Sequence, residues 1–107
     1  MSDQGALSLH KLTELSETFR LLGDPSRLRI LIYCLDGPKP VTQIADALGL
    51  SQSLVSHHLR LLRSARLVRG ERHSRQIFYE IADKHVSGVI NDMIEHVLED
   101  GDAFEDR

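Results

Sequence analysis

Between Thr42 and Ser64 the spacing of apolar residues constrains the fold more than anywhere else in the chain. Ile44, Ala45 and Leu48 recur at helical spacing, and Gly49 follows them. Ser51 then opens a second helical run, in which Leu54, Val55, Leu59 and Leu62 are assigned to the core. Thr42 and Ser51 are placed to cap the two helices. Gly49 suits the left-handed backbone that often ends a helix, and Leu50 fills the corner behind it. A short helix, a turn containing glycine and a longer helix are the outline of a helix-turn-helix.

The flanking segments fill in the architecture. Leu12, Leu15, Phe19 and Leu22 predict an amphipathic helix over residues 8–22, which Gly23 stops. Asp24 caps the next helix and Pro25 occupies its first turn. Leu28, Leu31, Ile32 and Leu35 carry that helix on to Asp36-Gly37-Pro38. After Ala65 the period changes. Residues 67–72 and 76–81 read as strands joined by a polar turn, His73-Ser74-Arg75. A hairpin directly behind a helix-turn-helix is a wing. The last helix begins near Lys84 and runs to about Asp100. The expected fold is mainly α with one β-hairpin: a dimeric winged helix-turn-helix in the order ααααββα, forming one domain over 1–107. Residues 1–7 read as a flexible tail and the terminal GDAFEDR as a fraying end. Residues 8–22 and 84–100 read as dimerisation helices.

Bulk properties narrow the function classes. A chain of 107 residues is one domain's worth, and one this short gains from a partner subunit. No apolar run approaches the roughly 20 residues that span a bilayer. MSDQGALSLHK has neither the basic nor the apolar region of a secretory signal, so the chain reads as cytoplasmic, with no membrane partner. The single cysteine, Cys34, excludes an intrachain disulfide, a Cys-rich zinc ribbon and a paired-thiol sensor, and reads as a small core residue. The net charge of −3 hides a division. Residues 20–82 hold ten lysines and arginines against five acids, whereas residues 83–107 hold two against eight. A basic centre joined to an acidic end is compatible with nucleic-acid binding, which the overall charge would argue against.

The second helix of the helix-turn-helix opens Ser51-Gln52-Ser53-Leu54-Val55-Ser56-His57-His58. A recognition helix enters the major groove by its N-terminal part, where Gln52, Ser53, Ser56 and His57 offer polar side chains able to contact bases or phosphates. His58 reads as structural. Arginines follow at 60, 63, 66, 69, 72 and 75, with Glu71 the only acid between Arg60 and Arg75. Such a run supplies salt-sensitive phosphate contacts. Arg60 is assigned to DNA, as are Arg72 and Arg75 at the wing tip, where arms and wings approach the backbone or minor groove. Arg63 and Arg66 read equally well as solvated helix charges.

The last helix carries a second constellation: Asp83, His85, His96 and Glu99, all of ligand types that bind zinc. Asp83 and His85 sit at the helix start, and His96 and Glu99 share a face at i, i+3. His85 and His96 fall on one face but roughly 16 Å apart along the axis, whereas zinc-ligand bonds are about 2.0–2.1 Å. One straight helix therefore cannot close the site. Two antiparallel copies can, with Asp83 and His85 of one chain meeting His96 and Glu99 of the other across a two-fold axis. Val86, Val89, Ile90, Met93, Ile94 and Val97 supply apolar surface for that pairing and for packing on the first helix. The bland reading is a solvated acidic helix with incidental histidines; two matched half-sites on one face weigh against it. Four ligands that complete a tetrahedron also disfavour a catalytic metal, which needs an open position. His10 and His73 read as isolated surface residues.

On these segments the chain resembles the ArsR/SmtB family of metal-responsive repressors over about residues 8–100. FRLLGDPSRLRIL, QIADALGLSQSLVSHHLRLLRSARLV and QIFYEI are similar to the family's helix-turn-helix and wing. The pattern Asp83-x-His85, ten residues, His96-x-x-Glu99 is similar to the C-terminal-helix zinc site of its SmtB- and CzrA-type members. The resemblance implies a dimeric repressor on an inverted-repeat operator that leaves DNA when zinc binds, inducing zinc efflux or sequestration genes. It also implies that the free ring nitrogen of His96 bonds backbone around Arg66. One departure is informative. Residues 42–48 hold no cysteine, which excludes the family's thiolate-based arsenic, cadmium and lead sensing and its dithiol persulfide sensing. A second metal site is likewise unsupported.

Three alternatives stay open from the residues. One is a winged-helix regulator without a metal response, whose last helix only dimerises. Another is a nickel or cobalt sensor (Ni2+ or Co2+ in place of Zn2+) that adds ligands from the arm around His10, marked by an octahedral site. The third, a zinc-dependent hydrolase, finds no nucleophile or base motif in the sequence.

Overall fold

Local capping chemistry sets most of the element boundaries. In a computed structural model that describes residues 7–99, the elements are α1 (Leu9–Leu22), α2 (Pro25–Tyr33), β1 (Lys39–Pro40), α3 (Val41–Leu48), α4 (Gln52–Ser64), β2 (Val68–His73), β3 (Gln76–Ile81) and α5 (Lys84–Leu98). The expected terminal tail lies outside the described residues except for Leu7, as does GDAFEDR. Ser8, Asp24 and Ser51 each accept a bond from the backbone N–H three residues on, satisfying an orphan donor of the first turn. Asp83 accepts from the N–H groups of both His85 and Val86. Helix α3 breaks the pattern. Its N-cap is Pro40, with no side-chain cap bond, and Thr42 lies inside the first turn rather than at the cap. The extended backbone of Pro40 already serves β1, so the chain passes from strand to helix without a polar cap.

The core is a layer between α2, α3, α4 and the root of the wing. Ile30 and Leu31 of α2, Ile44 of α3, and Val55, Leu59 and Leu62 of α4 are wholly buried, and Leu67, Val68, Tyr79 and Ile90 close around them. Two expected core residues lie elsewhere. Leu54 is 39% exposed, because α4 centres its buried face on Val55, one residue further round the helix. Ile32 is 44% exposed, because α2 turns Ile30, Leu31 and Cys34 inward instead. Helix α2 also ends at Tyr33, earlier than its apolar spacing predicts. The N–H of Cys34 bonds back to the carbonyls of Ile30 and Leu31, and Leu35 sits in the turn beyond. Cys34 is a core residue as expected, with burial pushing its thiol up to about 11.

The exit from α4 aims the wing. The N–H of Leu67 bonds the carbonyl of Leu62 and that of Arg66 bonds the carbonyl of Arg63, the Schellman pattern of a helix end. Arg66 holds the left-handed position there, with φ 61°, where glycine is usual. The chain then enters β2, which pairs with β3 from Val68↔Ile81 to His73↔Gln76, leaving Ser74-Arg75 as a two-residue turn. His73 thus belongs to the strand and not to the turn. Ser74 takes the positive φ, 59°, that tight hairpins require. Gly70 lies opposite Tyr79, and a Cβ there would stand 2.9 Å from the side chains of Ile77 and Tyr79. The sheet also has a third strand. β1 pairs with β3 through Lys39↔Tyr79 and Pro40↔Phe78, giving the order β1-β3-β2. The expected ααααββα order therefore becomes ααβααββα.

Helices α1 and α5 use only part of their apolar surface within the chain. Leu21 is the buried residue of α1, and Ile90 that of α5. Leu12, Leu15 and Phe19 of α1 and Val89, Met93 and Val97 of α5 stay exposed. A groove of about 460 Å³ runs between the two helices and α2, lined by Phe19, Leu22, Leu28, Ile32, Met93 and Val97 among others. Contiguous exposed apolar surface of this kind marks an interaction site.

The two leucines of α4 provide a test of the core assignment. Leu59→Ala removes a wholly buried side chain and is expected to cost about 2–5 kcal/mol in urea denaturation. Leu54→Ala, at a part-exposed position, is expected to cost clearly less.

Candidate nucleic-acid interface and metal ligands

Burying Val55, His58, Leu59 and Leu62 fixes which residues α4 presents outward. Gln52, Ser53, His57 and Arg60 are exposed and Ser56 is half-buried. Gln52, Ser56 and Arg60 line one wall of a cleft of about 490 Å³ between α4 and the wing, with Arg72 and Arg75 of the wing on the other side. Five of the seven residues expected to meet DNA are therefore brought to one cleft. Ser53 and His57 sit on the open face of the helix beside it. Arg63 lines the same cleft and was left undecided by the sequence. The spacing 52, 56, 60, 63 at i, i+4, i+8 and i+11 is the signal that places it there.

The arginines divide by partner. Arg66 pairs with Glu14 of α1 at 3.1 Å, and Arg69 pairs with Glu80 of β3 at 3.0 Å. The contact with Arg66, and more strongly that with Lys11, hold the Glu14 carboxyl below its ordinary range. Arg66 and Arg69 line a separate cleft that ends at Asp83, and Arg63 stands at the rim of both clefts.

His58 is buried at 8% exposure, and its Nδ1 has no hydrogen-bond partner among the described residues. It is structural, as its position on the helix suggested. Burial holds its basicity below the ordinary histidine range, opposed by the Asp24 carboxylate and reinforced by Arg27 and His57.

The candidate metal ligands lie at the two ends of α5. Asp83 is the N-cap, with Oδ1 3.0 Å from the amide nitrogens of both His85 and Val86, which fixes that carboxylate at the helix start. His96 Nδ1 and Glu99 Oε1 stand 3.7 Å apart in the last turn. All four residues are exposed. The helix is unbroken from Lys84 to Leu98, so the two pairs remain a helix length apart. Among the described residues of one chain, no three candidate ligands converge. His96 and Glu99 stand close enough to share an ion, and imidazole with carboxylate is a donor set that zinc accepts.

Helix α4 with its free outer face, packed on α3 and followed by a paired hairpin, defines a winged helix-turn-helix DNA-binding protein. Residues 24–69 match the model for bacterial regulatory proteins of the arsR family. The chain is 45% identical over 83 residues to the HTH-type transcriptional regulator NmtR of Mycobacterium tuberculosis, covering 78% of this chain and 69% of that one. It is 39% identical over 93 residues to a transcriptional repressor SmtB homolog of Synechocystis, covering 87% and 70%. Among solved structures, it superposes on a homodimeric winged helix-turn-helix domain of a possible ArsR-family regulator from Mycobacterium bovis with a TM-score of 0.77 at 28% identity, covering 91% of this chain and 86% of that one. The solution structure of apo-NmtR gives 0.71 at 42% identity, covering 84% and 76%. The chain belongs to the arsR family of bacterial regulatory proteins and is a transcriptional regulator. No helix among the described residues is long and apolar enough to cross a membrane.

His58 makes stability depend on pH. The unfolded chain protonates at the ordinary histidine value of about 6.5, and the folded chain only at lower pH. Stability is then lost as pH falls below about 6.5 and levels off once the folded His58 protonates. Thermal melts at a series of pH values between 7.5 and 5 are expected to show this fall, with a shallower slope in His58→Gln.

Proposed function

We propose that the protein is a cytoplasmic, metal-responsive transcriptional repressor. In this reading it binds an inverted-repeat operator as a homodimer and is released by zinc held between the C-terminal helices. The observation that carries the reading is α5 itself. Asp83 and His85 stand at the start of one unbroken helix and His96 and Glu99 at its end, and a second antiparallel copy would complete either half-site. The exposed apolar residues of α1 and α5 supply a surface for that second copy. Gln52, Ser53, Ser56 and His57 would face base edges in the major groove. Arg60, Arg72 and Arg75 would meet the backbone. Asp83 and His85 of one chain with His96 and Glu99 of the other would hold the zinc, which would then cross-link the two chains.

Titration of the apo protein with Co(II), followed by visible absorption, tests the site. Intense ligand-field bands saturating at one metal per chain, and lost in His96→Ala, are expected. Weak bands would replace zinc with a six-coordinate nickel or cobalt response. No binding would leave a metal-independent regulator. A second expectation concerns coupling. Saturating zinc is expected to lower operator affinity by about 5–150-fold, and DNA must lower zinc affinity by the same factor. Unchanged operator affinity in a fluorescence-anisotropy titration would refute release by metal.

A further inference from the structure

The arginines of the described chain fall into two sets. Arg20, Arg66 and Arg69 are ion-paired to Glu17, Glu14 and Glu80. Arg27 donates to the Leu21 carbonyl and Arg29 to the Leu48 carbonyl. Arg60, Arg63, Arg72 and Arg75 have no ion-pair partner among the described residues. Those same four line one cleft, between α4 and the wing. Four guanidinium groups held around one depression without a neutralising acid repel one another, so the cleft is built for an anion that comes from outside.

Groove geometry identifies that anion. A recognition helix lies in the major groove, and a wing reaches the adjoining minor groove. The strand that separates two adjoining grooves must then pass between helix and wing, over this cleft. We propose that the cleft seats one stretch of the DNA sugar-phosphate backbone, and that Arg63 is a phosphate-contacting residue alongside Arg60, Arg72 and Arg75. Arg66 and Arg69 are then internal ties, the first holding the end of α4 to α1 and the second bracing the hairpin. Gln52 and Ser56 line the same cleft nearer the start of α4, where the helix turns its polar side chains toward the base edges. The assignment rests on the DNA-binding reading above, and extends it to a residue and a register on the duplex.

The test is the salt dependence of binding to a short duplex of unrelated sequence, which needs no knowledge of the operator. Log affinity falls linearly with log salt, by a slope of about 0.9 for each phosphate neutralised. Arg63→Gln is expected to flatten the slope by about 0.9 per bound protomer between about 50 and 200 mM salt, and Arg63→Lys to restore it. Arg66→Gln and Arg69→Gln are expected to leave the slope unchanged. All three positions are exposed, and a thermal melt of each variant checks the fold. A steep wild-type slope that Arg63→Gln does not alter overturns the assignment and leaves DNA binding standing. Equal flattening by Arg66→Gln or Arg69→Gln overturns the division into two sets. A wild-type protein with no salt-dependent affinity removes the DNA-binding reading itself.

Discussion

The buried stripe of α4 is the constraint on which the rest of the molecule depends. Val55, Leu59 and Leu62 lie at zero exposure against Ile30, Leu31 and Ile44, with His58 beside them. A helix has only one azimuth at which such a stripe meets its neighbours. Fixing it sends Gln52, Ser53, His57, Arg60 and Arg63 outward with no further choice. It also fixes the direction in which the chain leaves the helix, since the bond from Leu67 N–H to the Leu62 carbonyl folds the backbone over the last turn. Leu67 and Val68 then return to the same core and start the wing. Position and orientation of both elements of the candidate DNA interface thus follow from one packing contact.

The opposite side of the molecule is organised by what it leaves unburied. Fully burying an apolar side chain the size of leucine or phenylalanine is worth about 1.5–3 kcal/mol, and several on α1 and α5 forgo most of that within one chain. A chain of this length has little core to spare, so surface of this extent is costly to leave in water. Ile32 is informative here. Its exposure on α2 looks like an error of packing until it is seen to line the same groove as Met93 and Val97.

Strong periodicity made most of this fold legible in the sequence. The caps at Asp24 and Ser51, the glycine at 49 with φ 70° and the run of α4 lie where apolar spacing and turn chemistry place them, and the hairpin does so but for His73, which joins its strand rather than its turn. The failures share a cause. Leu54 and Ile32 each stand next to a residue that is buried, and a pattern of spacings fixes a helix more firmly than its exact rotation. Strand β1 is two residues long, one of them proline, too short for any period to register. Arg66 in a left-handed conformation carries no local signal, because glycine is the residue that would announce it. In the candidate DNA face, single positions were readable, whereas their division into two clefts required the three-dimensional course of the wing. The candidate metal ligands fall as two separated pairs in sequence and structure alike, because a helix transmits sequence spacing directly into distance.

The small strand β1 has a mechanical consequence. Lys39 and Pro40 bond the wing through Tyr79 and Phe78, and Pro40 runs without a break into α3. Lys39 is itself anchored, its ammonium donating to the carbonyls of Tyr33 and Gly37. The hairpin is therefore joined to the helix-turn-helix from the side opposite β2 as well as through the chain itself. Within one chain, the recognition helix and the root of the wing are thus tied into one unit. In the dimer proposed above, a regulator would gain its leverage by moving these units relative to one another, at the joint between copies rather than inside either of them.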